Sequence, residues 1–296
     1  MTSNEQLRFG SQVIEQSVPN TILDSISTYI RECPPSPHTD SSLTLIDNSE
    51  TVRLFNQMAV IEQQGQHFPF SHALTVASLS SIISAQLNAL SRQQLGTDLV
   101  DEPLVTTSAL LHDVGNVIYE EDIERLGLGD IDITSHIKFF PETASKDLQS
   151  NHILRTIAFI HSLGGQYREH AHTAAHSIYH LIYDSDVSLE RLLLILSDFS
   201  VVNRDTDSED SWPRTGLTTS LVDRLGQVMQ KHSGPSDGYI DFYLRLEAVK
   251  SNLEQAGVYF SLGNHASQEK PDSVDLNSFL KLLTFLKIKT DTIPKL

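Results

Sequence analysis

Leu104-Val105-Thr106-Thr107-Ser108-Ala109-Leu110-Leu111-His112-Asp113-Val114-Gly115-Asn116 is the stretch on which the reading of this chain turns. The run Leu104 to Leu111 predicts a buried helix, with Pro103 suited to its first turn and Val114-Gly115-Asn116 to its end. An imidazole and a carboxylate adjacent on a helix point about 100° apart, so both reach one cation only where the helix is ending or tightly packed. A histidine in the last turn also faces the negative end of the helix dipole, which favours positive charge nearby, a metal included. Leu110-Leu111 before the pair and Val114 after it argue for burial, and a buried carboxylate needs a partner or an ion. His112 and Asp113 therefore read as half of a metal site.

Outward from this segment the pattern is helical on both sides. Towards the N-terminus, Ser71 is placed to cap a helix starting at His72 and carrying Leu74, Val76, Leu79, Ile82, Ile83, Leu87 and Leu90 on its apolar side. Before that, Val52, Leu54, Phe55, Met58 and Ala59 repeat at helical spacing, interrupted from Gly65 to Pro69. Residues 1–50 read as one helix at about Thr21 to Glu32, then Pro34-Pro35-Ser36-Pro37 and a polar linker.

Towards the C-terminus, Gly127 to Ile133 is a Gly/Asp loop, and Pro141-Glu142 opens a long helix through about His161. Gly164-Gly165 breaks it, a helix covers about Arg168 to Tyr183, and an apolar helix from Leu189 reaches Asp198. Residues 203–216 read as a polar loop, followed by helical patterns at about 217–231, 238–260 and 275–288. No stretch alternates with period two for long enough to make a confident strand, and no internal repeat is visible. The chain is predicted to be all-α: an N-terminal helix and polar linker at 1–50, a helical domain at 51–205, and a C-terminal helical extension at 206–296 packed on the core.

The 296 residues carry 38 acidic against 21 basic side chains, a formal charge of -17. Such a surface repels a phosphate backbone, so a nucleic-acid polymer is not expected as a partner, while a small anion carried by a metal is compatible with it. The one cysteine, Cys33, excludes an intrachain disulfide and a cysteine-based zinc site. No apolar run approaches the roughly 20 residues that span a bilayer, and Met1 to Gln6 lacks the order of a signal peptide, so no membrane partner and a cytoplasmic location are expected. A homo-oligomer is compatible with the sequence. Of thirteen histidines, seven (His136, His152, His161, His170, His172, His176 and His180) crowd into 45 residues, and histidine is the commonest protein ligand for transition metals.

Three places combine: His72 at a helix start, His112-Asp113 at a helix end 40 residues later, and Asp198 in a nearly apolar helix 85 residues after Asp113. This order resembles the HD superfamily of metal-dependent phosphohydrolases. Ser71-His72-Ala73-Leu74-Thr75-Val76-Ala77 is similar to that family's first motif, Ala109-Leu110-Leu111-His112-Asp113-Val114-Gly115 to its second, and Leu194-Ile195-Leu196-Ser197-Asp198 to its last. The likeness covers roughly residues 52–205 and implies an HD-like helical bundle in which His72, His112, Asp113 and Asp198 hold a divalent metal. Mixed imidazole and carboxylate ligands suit Mn, Fe, Zn, Ni or Co. Triphosphohydrolase members continue with Pro-Pro-Phe-Gly-His, where this chain has Val117-Ile118-Tyr119-Glu120-Glu121, and Asn116 stands where other members have a lysine.

The resemblance gives His136 two roles, assisting catalysis or binding a second ion; a mobile surface histidine is the competing account. His161, His176 and His180 are second-metal candidates in the same sense, and His172, His176 and His180 share one helix face. The expected activity is hydrolysis of a small phosphate ester, a nucleotide or deoxynucleotide, with Asp113 and His136 in the catalytic roles. Arg125, Lys138, Lys146 and Arg168 lie between the motifs as candidate substrate cations. Two alternatives stand beside this: a di-iron oxygenase of the same superfamily, and a non-catalytic signalling or scaffold protein on the same fold.

Overall fold

The computed structural model describes residues 6–9, 12–15, 17–64, 69–138, 146–175, 187–203, 215–217, 221 and 237–260. Among them the chain is helical, as the sequence predicts, with two short hairpins. Strands β1 (Gln6–Phe9) and β2 (Gln12–Glu15) pair antiparallel, Gln6 opposite Glu15. Helices α1 (Ser17–Glu32), α2 (Thr39–Ile46) and α3 (Ser49–Gln63) lead to the long α4 (Pro69–Leu95) and to α5 (Glu102–Leu111). A 3-10 turn at Val114–Val117 follows, then the short α6 (Glu120–Arg125) and α7 (Thr134–Ile137). Helices α8 (His152–Ser162), α9 (Arg168–Ala174) and α10 (Leu189–Ser200) complete the part that builds the site. Strands β3 (Val201–Asn203) and β4 (Thr215–Leu217) and helix α11 (Asp237–Gln255) come last.

Helix α5 is the axis of the molecule, and every one of its residues is buried. Asp101 starts it by accepting from the Leu104 amide at 3.1 Å, with Pro103 in the first turn. Helices α4, α9, α10 and α2 pack around it, and α4 packs in turn on α10 and α3. The hydrophobic core runs without a break from Leu23 in α1 to Val258 beyond α11. Contrary to the expectation that no apolar run approaches bilayer length, α4 contains an 18-residue window of mean hydropathy 1.4, long and apolar enough by composition to cross a bilayer. In this fold 61% of that window is packed inside the protein, as in the central helix of a core.

Several element boundaries differ from the sequence reading. The stretch taken as a linker contains α2, because Leu45 and Ile46 are fully buried and Ser42 meets His170 Nε2 at 2.9 Å, an anchor hidden among polar neighbours. Helix α4 begins at Pro69, so Ser71 lies inside it: its amide donates to Glu62 Oε2 at 2.7 Å and its hydroxyl to Glu62 Oε1. A buried carboxylate from α3 thus supplies the acceptor at this positive helix end. Helix α4 also continues to Leu95, into the expected loop.

Helix α8 starts at His152, where Asn151 caps it by accepting from the amides of Ile153 and Leu154 at 3.1 and 3.3 Å, and the start expected at Pro141 lies outside the described residues. The edges of the expected 203–216 loop are β3 and β4, with Val201 opposite Leu217, in strands too short for period two to be legible. The pattern predicted at 238–260 is α11, which begins one residue earlier and ends five residues earlier, whereas that at 275–288 lies outside the described residues.

Candidate metal centre

Three helices and one turn position the cluster. His72 is in the first turn of α4, held by the Glu62 contacts to Ser71 next to it. His112 caps the C-terminal end of α5, and its Nδ1 donates to the Ala109 carbonyl at 2.6 Å, which turns Nε2 towards the other side chains. Asp113 follows where the helix gives way to the 3-10 turn, so two consecutive side chains can face one point. Asp198 comes from the last turn of α10, whose start is fixed by Ser188 accepting from the Arg191 amide at 3.2 Å.

The four converge. His72 Nε2 lies 2.9 Å from Asp198 Oδ1 and 3.3 Å from His112 Nε2. His112 Nε2 lies 3.6 Å from Asp198 Oδ1, and Asp113 Oδ2 is 3.8 Å from the Nε2 atoms of both histidines. His112 is fully buried, while His72, Asp113 and Asp198 are partly exposed, so the cluster opens to solvent on one side.

Burial works against charge on His112, but the carboxylates of Asp113 and Asp198 outweigh it and raise its pKa to about 9. Burial likewise pushes Asp113 up, and the imidazoles of His112, His72 and His152 hold it below the usual carboxylate range all the same. Two carboxylates beside two imidazoles call for a cation among them. Metal bonds of about 2.0–2.2 Å to nitrogen and oxygen place neighbouring ligand atoms about 3–3.5 Å apart, close to the separations seen here. The donor set therefore fits a divalent ion, with the ligand atoms of His72, His112 and Asp113 all within 4.8 Å of one another.

His152, one of the clustered histidines, joins the centre although its sequence context assigns it no role. It opens α8, and its Nε2 lies 3.5 Å from Asp113 Oδ1, the oxygen turned away from His72 and His112. Its place depends on Gly115, whose amide donates to Thr156 Oγ1 at 2.9 Å, while Thr156 Oγ1 donates to the His112 carbonyl at 3.1 Å. The signal available was Asn151 as a cap, which fixes the histidine at the start of a helix.

His136 is not a surface residue: it is 3% exposed and lies in α7. Its Nε2 is 3.5 Å from His161 Nε2, and its ring centroid is 5.5 Å from that of His172. Of the second-metal candidates, His136 and His161 thus come together, and His176 and His180 lie outside the described residues. Arg125 is engaged with Glu50 through two contacts of 2.8 Å and with Asp122 at 3.0 Å, and so ties α6 to α3. Lys138, Lys146 and Arg168 are exposed.

No curated protein and no solved structure matches the chain. One family model does, that of the HD domain, over residues 70–198. The match ends on Asp198 and takes in His72 and the His112-Asp113 pair, the same side chains that the fold gathers from α4, α5 and α10. Residues 70–198 thus match the HD domain, a helical fold whose members are usually metal-dependent hydrolases.

Proposed function

We propose that the chain is a metal-dependent phosphohydrolase that cleaves a small phosphate ester, a nucleotide or deoxynucleotide, by attack of water. The observation that carries this reading is the meeting of His72, His112, Asp113 and Asp198 within ligand distance of one another. These four would hold the ion, and Mn, Fe, Zn, Ni and Co all suit such a donor set. Bound there, a divalent ion supplies an acidified water and a Lewis acid for phosphoryl oxygen.

The chain's own residues define the rest. The Nδ1 bond of His112 to Ala109 fixes its tautomer, the arrangement that orients ligand histidines generally. Asp113 turns one oxygen to the cluster and the other to His152. His152, 40% exposed, stands at the mouth, where its Nε2 can take a proton from the attacking water or hand one to the leaving oxygen. Oxygen from water bonds to phosphorus, the bond from phosphorus to the leaving alkoxide oxygen breaks, and that oxygen receives the proton. A charge of -17 disfavours long polyanions and supports a small substrate.

The test is metal analysis of the purified protein together with phosphate release over a panel of nucleotides, wild type against Asp113→Ala. Metal is expected in the wild type, and phosphate release at least 100-fold slower in the variant with its helical circular dichroism retained. Equal turnover by both proteins removes the hydrolase reading.

A further inference from the structure

We infer that His136, His161 and His172, with Arg168 and Arg191 about them, form an anion-binding cradle for phosphate or a phosphate-like group, separate from the metal centre. The three imidazoles come from α7, α8 and α9, with the His136 ring centroid 5.7 Å from that of His161 and 5.5 Å from that of His172. Arg191, fully buried, donates from Nε to the His172 carbonyl at 2.8 Å and so fixes its guanidinium beside the trio. His161 and His172 are half-buried and Arg168 is exposed, so the basic groups run from the surface inward to His136.

The charges that bear most on His136 are all positive: His172, His161, Arg191 and Arg168. Together with burial, the largest cause, they push its pKa down to about 3. His161 is likewise lowered by burial and by Arg168, with Asp132 opposing. In a chain of charge -17 this gathering of basic side chains runs against the average surface. Two guanidinium groups beside imidazoles held uncharged make a donor-rich, positive place partly out of water, and an oxyanion there would accept N–H donors and offset the charge of Arg168 and Arg191.

A second divalent ion is disfavoured by the same two guanidinium groups. Moreover, the three-donor group compact enough to share an ion is, among the described residues, His72, His112 and Asp113. His152 and His161 stand nine residues apart on α8, about 13 Å of helix rise, so the cradle and the metal centre lie towards opposite ends of that helix.

The inference does not rest on the hydrolase reading and is tested without it. Inorganic phosphate and pyrophosphate are titrated calorimetrically into chelator-treated full-length protein, with wild type, His161→Gln, Arg168→Ala and Asp198→Asn compared. One site is expected, weakened at least tenfold by His161→Gln and by Arg168→Ala and unchanged by Asp198→Asn. Phosphate should also move the ring-nitrogen resonances of His136, His161 and His172 in the wild type, a readout that holds even if a variant fails to fold. Absence of binding, equal binding by all four proteins, no movement of those resonances, or zinc or manganese binding that His161→Gln abolishes while phosphate binding is retained would each overturn the cradle.

Discussion

The backbone of Gly115 passes so close to that of His152 that a Cβ on Gly115 would stand 1.9 Å from the His152 carbonyl oxygen. The turn after His112-Asp113 and the start of α8 are therefore in contact through backbone, and the absence of a side chain at residue 115 is what lets His152 reach Asp113. Arg155 strengthens the contact by donating from Nε to the Gly115 carbonyl at 2.7 Å. Gly115→Ala forces α8 away. A destabilisation of about 1–3 kcal/mol, or more if the backbone cannot yield, is expected in chemical denaturation. Phosphate release should fall with it, because His152 moves with the helix; a variant with wild-type stability and turnover would show that the close approach is not needed.

Asp198→Asn keeps the shape of the side chain at the end of α10 and removes its charge. Since Asp198 Oδ1 lies 2.9 Å from His72 Nε2 and 3.6 Å from His112 Nε2, it is central to the donor set. Metal affinity is expected to drop by about 10–100-fold or more, the loss seen even for groups one step removed from a metal. Titration of the apo protein with manganese or zinc measures it, and unchanged affinity would exclude Asp198 as a ligand.

Much of the centre was legible because its parts are locally encoded. Pro103 and the apolar run to Leu111 announce α5, and a histidine and an aspartate can face one point only because that helix ends between them. His72 and Asp198 sit in helical patterns of their own, so their order along the chain carried the rest. What sequence could not supply were relationships made by packing. The helix Thr39–Ile46 depends on the burial of Leu45 and Ile46 and on the Ser42 contact to His170, more than a hundred residues away. The role of His152 depends on Gly115 yielding space, and the trio of His136, His161 and His172 on three helices docking. Seven histidines in one region advertised some site without saying which rings meet.

Asn88 organises the connection between α4 and α5, and with it the helix that ends at His112. Its Oδ1 accepts from the amides of Leu99 and Val100, each at 2.9 Å. Its Nδ2 donates to the Val100 carbonyl at 2.8 Å and to Glu102 Oε1 at 2.9 Å. All four hydrogen-bonding capacities of a buried amide are thus used. Asn88→Leu leaves two amides and a buried carboxylate short of partners, at about 3 kcal/mol or more. Urea denaturation of the variant measures this, and a loss below about 1 kcal/mol would mean that water replaces the amide.

His170 makes the fold sensitive to mild acid. Burial, with the neighbouring His38 adding to it and Asp101 opposing, lowers its pKa from 6.5 to about 4. Its Nε2 meets Ser42 Oγ at 2.9 Å, and among the described residues its buried Nδ1 has no acceptor that a proton there could use. A histidine whose folded pKa lies below its unfolded one binds fewer protons in the native state. Its contribution to stability is therefore fully present above about pH 6.5 and is lost as the pH falls towards 4. The loss amounts to about 2–3 kcal/mol over that window. His136, pushed down to about 3, adds a similar slope that continues to lower pH. In His170→Gln, which can still bond Ser42 but cannot take up a proton, unfolding free energy measured by urea between pH 8 and pH 4 should fall less steeply than in the wild type. The variant is expected to be the weaker protein at pH 8 and to draw level or ahead near pH 4; parallel curves would mean that His170 does not titrate in this range.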